Sequence, residues 1–82
     1  MKSAILRALA DKTRLSIFEK VSKKEICACE LPTAAGTSQP AVSQHLKVLL
    51  GAKLVGVRRD GAKRLYSATG KGRRVLRDIK RW

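Results

Sequence analysis

Two thiols stand one residue apart, Cys27 and Cys29, in the run Glu25-Ile26-Cys27-Ala28-Cys29-Glu30-Leu31. Paired sulfur donors can grip a soft ion once deprotonated, and arsenite, antimonite, cadmium, lead and zinc all suit them. Two sulfurs complete neither a trigonal nor a tetrahedral site. Water, an exogenous thiol, Glu25, Glu30 or a residue across a dimer would have to supply the rest. A redox-sensing pair is a variant of the same chemistry. The plain alternative is that both are small, partly buried apolar residues. A disulfide across this spacing would be strained, so the pair is expected reduced, as in a cytosol.

A second set lies on one helical stripe: Gln39, Ser43, Gln44 and Lys47, with Ser38 and Pro40 at its start. These side chains offer amide, hydroxyl and ammonium groups. Short polar groups of this kind read base edges in a major groove about 12 Å wide, and a glutamine can pair bidentately with adenine. Lys47 suits a phosphate or a guanine. A merely solvated helix face is the competing reading. The third set is cationic: Arg58, Arg59, Lys63 and Arg64 flank Asp60-Gly61, placed to neutralise phosphates or to enter a minor groove. His45, the only histidine, falls between the apolar and polar sides of the same stripe and reads as a packing or DNA-proximal group.

Charge supports a polyanionic partner. The 82 residues carry a net +13. Residues 1–46 hold seven basic and four acidic groups, whereas residues 47–82 hold twelve and two. So one-sided a field attracts nucleic acid first and an anionic membrane surface second. No apolar run approaches the roughly 18–20 residues that cross a bilayer, and Arg7 interrupts the N-terminal apolar stretch, so no membrane partner and no secretion signal are expected. Neither a nucleophile elbow, a P-loop nor a paired-carboxylate constellation is present, so the chain is not expected to be an enzyme.

These sets need elements to hold them. Residues 3–9 read as a short helix, apolar almost all round, of the kind that is buried against something. Asp11 caps a second helix carrying Leu15, Phe18 and Val21 on one face with Ile17 beside them, ending near residues 22–24. Residues 25–28 form an extended lead-in to a short helix starting near Cys29, so that Pro32 falls in its first turn; Gly36 is its left-handed stop. Ser38 caps the next helix, residues 39–50, where Val42, Leu46, Leu49 and Leu50 make an apolar stripe and Gly51 ends it. Two short helices joined by Gly36-Thr37 are a helix-turn-helix. Residues 54–59 and 63–67 read as strands joined at Asp60-Gly61, both of which accept positive φ. A final helix runs from about residue 71 to the end, with Val75, Leu76, Ile79 and Trp82 on its apolar side. The expected architecture is mostly α with a β-hairpin wing, a winged helix-turn-helix of order ααααββα, as a single DNA-binding domain over residues 1–82.

Three segments carry a family resemblance. Leu9-Ala10-Asp11-Lys12-Thr13-Arg14-Leu15 resembles the opening of the second helix in ArsR/SmtB-type repressors, with lysine at position 12 where proline is common. Ser38-Gln39-Pro40-Ala41-Val42-Ser43-Gln44-His45-Leu46-Lys47-Val48-Leu49 resembles their recognition helix. Residues 25–31 resemble their thiol-bearing metalloregulatory box, although arsenic-responsive members can carry a third cysteine where this chain has Pro32. The resemblance implies a cytoplasmic homodimeric repressor, its first and last helices at the dimer interface, that binds an inverted-repeat operator in double-stranded DNA. It also implies release by a thiol-bound metal or metalloid ion, with no cofactor needed for DNA binding. Some relatives bind metal on the final helix, but only Asp78 is available there, so that site is not expected. Two rivals stand beside this reading: a winged-helix regulator without a metal response, and a charge-driven, non-specific nucleic-acid-binding protein. The latter lacks the aromatic platforms that hold single strands.

Overall fold

The computed structural model describes residues 2–80. Helix α1 (Lys2–Leu9) is followed by α2 (Lys12–Lys23), strand β1 (Ile26–Cys27), a 3₁₀ turn (Ala28–Glu30), α3 (Leu31–Ala35), α4 (Gln39–Gly51), strands β2 (Val55–Asp60) and β3 (Lys63–Ala68), and α5 (Gly70–Lys80). The hairpin wing is the larger part of a three-stranded antiparallel sheet of order β1-β3-β2.

Local chemistry sets the helix boundaries. The Asp11 carboxylate accepts from the Arg14 backbone N–H at 2.9 Å and caps α2. The Ser38 hydroxyl accepts from the Ala41 N–H at 3.3 Å and caps α4, with Pro40 in its first turn. Each cap satisfies a helix-end donor that would otherwise lack a partner. Gly36 takes φ +66°, so the Thr37 N–H reaches back to the Pro32 carbonyl and α3 stops.

The core forms where the apolar stripes meet. Ile17, Phe18 and Val21 of α2, Leu31 of α3, and Val42, Leu46 and Leu49 of α4 pack with Leu54 of the turn before β2, Val55, Tyr66 and Ala68 of the sheet, and Leu76 of α5. Phe18 is fully buried, and burying a side chain of that size contributes about 1.5–3 kcal/mol. Leu15 and Val75 are only half-buried at the edge of this cluster. On α1, Ala8 is buried but Leu6 remains 62% exposed, leaving an apolar residue uncovered within the protomer. The expected Trp82 contribution lies outside the described residues.

Four details differ from the sequence expectation. The lead-in to α3 is not merely extended: β1 pairs with β3, Ile26 opposite Tyr66 and Cys27 opposite Leu65. The helix expected from Cys29 begins at Leu31 instead, because a 3₁₀ turn absorbs residues 28–30 and leaves Pro32 at the start of α3. The hairpin turn is displaced by one residue. Asp60 pairs with Lys63, so Gly61 and Ala62 are the turn, and only Gly61 has positive φ. One positive φ at the first central position is the pattern of a type II′ turn, for which glycine is the natural choice. Finally, Gly51 lies inside the last turn of α4. The left-handed residue is Lys53 at φ +62°, which lets the Leu54 N–H bond the Leu49 carbonyl and the Lys53 N–H bond the Leu50 carbonyl, both at 3.0 Å. That is a Schellman closure built on a lysine.

Candidate nucleic-acid interface

The structure separates the two sides of α4. Val42, Leu46 and Leu49 face the core, while Gln39, Pro40, Ser43, Gln44 and Lys47 are exposed. Ser38, exposed beside them, spends its hydroxyl on the cap. α4 is anchored behind its exposed side by α2 and by the short turn from α3, so the stripe is presented by a fixed element.

His45 faces inward and braces that anchor. Its Nδ1 accepts from Arg14 Nε at 3.2 Å, and its Nε2 lies 4.0 Å from the Asp11 carboxylate. Arg14 also donates through Nη1 to the Arg7 and Ala8 carbonyls at the end of α1. One guanidinium thus ties α1, α2 and α4 together, and His45 is a packing and orienting group. Sequence reasoning left its role open, because its partners Arg14 and Asp11 lie more than 30 residues away in the chain.

The wing cations divide into two kinds. Arg59 and Arg64 are directly opposite each other across the hairpin, with Lys63 at the turn, and all three are exposed. Like charges in that register oppose pairing and favour an anion between them. Arg58 differs. Its Nε and Nη2 donate to the two carboxylate oxygens of Glu25, both at 2.8 Å, a bidentate pair that raises the guanidinium pKa further. The same pair occupies Glu25, one of the candidate ion ligands, so sequence reasoning missed a link between the thiol segment and the wing.

The thiols converge. Cys27 Sγ and Cys29 Sγ lie 2.7 Å apart, the former buried on β1 and the latter exposed in the 3₁₀ turn. Hydrogen bonds from Cys29, first its thiol and then its backbone N–H, hold the Cys27 pKa below the usual thiol range, and the Lys63 charge adds to this. The Cys29 thiol shifts upward, chiefly because it donates to Cys27. The two thiols are thus pushed in opposite directions, Cys27 down and Cys29 up. Among the described residues, no group of three His, Cys, Asp or Glu side chains could hold a metal ion. A cleft of about 530 Å³ opens from the two cysteines between α4 and the wing; Gln39, Ser43 and Lys47 line one wall, Lys63 and Arg64 the other.

Residues 11–57 match the family described as "Bacterial regulatory protein, arsR family". The chain is 44% identical over 64 residues to the arsenical resistance operon repressor of Staphylococcus aureus, covering 78% of this chain and 62% of that protein. It therefore spans about three-fifths of that relative's length. Among solved structures, NolR from Sinorhizobium fredii superimposes with a TM-score of 0.88 at 32% identity, over 98% of this chain and 81% of that one. A homodimeric winged helix-turn-helix DNA-binding domain from Mycobacterium bovis, a possible ArsR-family transcriptional regulator, superimposes with a TM-score of 0.87 at 26% identity, covering 95% and 73% of the two chains.

Proposed function

Because the chain belongs to the arsR family of bacterial regulatory proteins, we propose that it is a cytosolic, sequence-specific transcriptional repressor. Residues 1–82 act as one winged helix-turn-helix domain that works as a homodimer. The observation that carries this reading is the two-sided α4. Three apolar residues lock it to the core, and Gln39, Ser43, Gln44 and Lys47 stand free on the other side of a capped helix-turn-helix. α4 enters the major groove, Ser38 and Pro40 approach the backbone at its start, and Arg59, Lys63 and Arg64 meet phosphates along the wing. Arg58 supports the wing through Glu25 and contributes its charge from there.

A two-fold dimer prefers an inverted repeat whose half-sites lie about one helical turn, or a small multiple, apart. Fluorescence anisotropy with palindromic and scrambled duplexes at physiological salt tests this directly. Equal affinity for both would favour the charge-driven rival. Within the dimer, Gln39→Ala or Gln44→Ala is expected to cost about 1–3 kcal/mol on the preferred site and to relax base choice at one position of each half-site. Unchanged discrimination in both variants would place those amides in solvent.

Cys27 and Cys29 hold the inducing soft ion, and the donor set fits: two soft sulfurs converge to 2.7 Å, one of them reaching the surface. Arsenite or antimonite, or cadmium, lead or zinc, are the inducer candidates, and the bound ion supplies a fixed link between the two sulfurs. The protein carries that constraint outward. Cys27 belongs to β1, hydrogen-bonded to the wing strand, whereas Cys29 belongs to the turn that runs into α3. Fixing their separation moves α3 relative to the wing, and the short Gly36-Thr37 turn passes the shift to α4. A coupling of about 1–3 kcal/mol weakens the operator complex some 5- to 150-fold, and operator binding weakens ion binding by the same factor. Double replacement of Cys27 and Cys29 by Ser is expected to keep operator affinity near normal and to abolish the response, read as anisotropy during arsenite or cadmium titration of reduced protein. A response that persists in the double variant would put the sensor elsewhere.

A further inference from the structure

The ion site and the cleft beside it do not match in size. Two sulfurs hold an ion by one edge, and the described residues offer no third His, Cys, Asp or Glu to close a site. Glu25 is taken by Arg58 through both of its oxygens. Yet the cleft opening from the thiols holds about 530 Å³, far more than a bare ion fills. Leu46, Leu50 and Tyr66 give it an apolar lining, and cations stand on both of its sides. Lys63 and Arg64 stand on the wing side, and Lys47 on the α4 side together with the amide of Gln39 and the hydroxyl of Ser43. Lys63 lines the same cleft as the Cys27 and Cys29 thiols. A soft-donor edge that opens into a cationic, hydrogen-bonding cleft is complementary to one chemical class: a small molecule with a thiol at one end and carboxylate at the other.

Resting on the reading that Cys27 and Cys29 hold a soft ion, we propose that the cleft binds a small anionic thiol. Its sulfur is the third ligand, and its carboxylate is held by Lys63 and Arg64 with Lys47 opposite. With arsenite the exchange balances without any redox change. Arsenic(III) hydroxide loses three hydroxides, the Cys27, Cys29 and external thiols each lose a proton, and three As–S bonds form as three waters leave. The occupied cleft then denies the same cations to DNA phosphate, so the ternary complex opposes operator binding by direct competition as well as by moving α3.

The test uses the wild-type chain, kept reduced with a phosphine, without DNA. Arsenite is titrated in the presence of 3-mercaptopropionate, glutathione or the neutral 2-mercaptoethanol, and followed by the sulfur-to-arsenic ultraviolet absorption. Native mass spectrometry counts what is bound. The anionic thiols are expected to tighten apparent arsenite binding about tenfold relative to the neutral one, the scale of one or two ion pairs in a solvated cleft. The bound species is expected to contain one arsenic and one external thiol per protomer. In Lys63→Ala/Arg64→Ala, both positions being exposed, the advantage is expected to shrink below about threefold. Arsenic bound without an external thiol, including arsenic bridging two protomers, would overturn the inference and leave the soft-ion reading standing. Equal binding with anionic and neutral thiols would do the same. If wild-type protein takes up no arsenic with any thiol, while cadmium likewise gives no sulfur-to-metal absorption, both readings fall together.

Discussion

The affinity of the dimer for its operator is expected to fall by roughly 10³- to 10⁵-fold between 50 and 200 mM salt. Lys47, Arg59, Lys63 and Arg64 are exposed on the α4 and wing surfaces. Two copies of these four present about eight cations to phosphates, and each neutralised phosphate adds about −0.9 to the slope of log K against log salt, for a total near −7. The ion pair at the base of the wing sharpens this into a test of geometry. Arg59→Ala removes a free cation from each protomer and is expected to flatten the slope by about 1.8 per dimer. Arg58→Ala is expected to change it far less, since Glu25 already holds that guanidinium at 2.8 Å through two hydrogen bonds. Glu25→Gln, by freeing Arg58, is expected to steepen it. Slopes measured by anisotropy over a salt series decide the matter. Equal flattening by Arg58→Ala and Arg59→Ala would show that Arg58 abandons Glu25 for phosphate. These wing substitutions act alike on matched and scrambled duplexes, whereas Gln39→Ala and Gln44→Ala separate the two, which distinguishes holding DNA from reading it.

The elements that were legible in the sequence are those fixed by short-range chemistry. Asp11 and Ser38 announce their helices because a cap needs only an oxygen three residues ahead of an N–H. The stripe of Val42, Leu46 and Leu49 declares which side of α4 is buried, and with it the exposed set of Gln39, Ser43, Gln44 and Lys47. What escaped was set by partners distant in the chain. β1 is two residues long, too short for any periodicity, and it is a strand only because β3 lies alongside it. Arg58 reads as one more wing cation until the fold brings Glu25 to it from 33 residues away. The hairpin turn slips by one because Asp60 and Gly61 both tolerate positive φ while the strand register requires it only of Gly61. Lys53 escapes for a related reason: nothing in a lysine suggests a left-handed backbone, and the closure of α4 onto β2 imposes it.

Gly72 belongs with these, and replacing it is expected to destabilise the fold more than any other single methyl group added at a glycine. Around it the start of α5 docks on the turn between α4 and β2. Thr69 caps the helix by accepting from the Gly72 N–H at 2.9 Å; its hydroxyl donates to the Lys53 carbonyl at 2.8 Å, and its own N–H donates to the Leu54 carbonyl at 3.0 Å. This brings the two backbones so close that a Cβ on residue 72 would collide with the Leu54 carbonyl oxygen, with Phe18 Cε1 only 3.1 Å away. The oxygen cannot retreat without breaking the Thr69 bond, and Phe18 is fully buried in the core. Gly72→Ala is therefore expected to cost ~3 kcal/mol or more, at the upper end of overpacking effects. For a domain of this size that corresponds to a fall of roughly 12–24 °C in melting temperature. Gly51→Ala and Gly70→Ala are the controls: both lie in helices, neither Cβ meets anything within 4 Å, and neither has positive φ. There alanine is expected to be neutral or to stabilise by up to about 1 kcal/mol through a less flexible unfolded chain. The same chemical change should thus have opposite signs at positions two residues apart, Gly70 and Gly72, as measured by urea denaturation. The loss should also reach function. Arg73 leans on the Ser22 carbonyl at the end of α2, and Leu76 is buried in the core, so displacing the first turn of α5 displaces the rest of the helix. If α5 lies in the dimer contact, Gly72→Ala should lower the dimer fraction in sedimentation under conditions where the protomer is still folded, and operator affinity should fall with it. A variant that melts like wild type would mean that the α5 start can slide away from Leu54 at no cost. One that is unstable yet fully dimeric would place the contact between protomers on α1 alone, where Leu6 stands exposed.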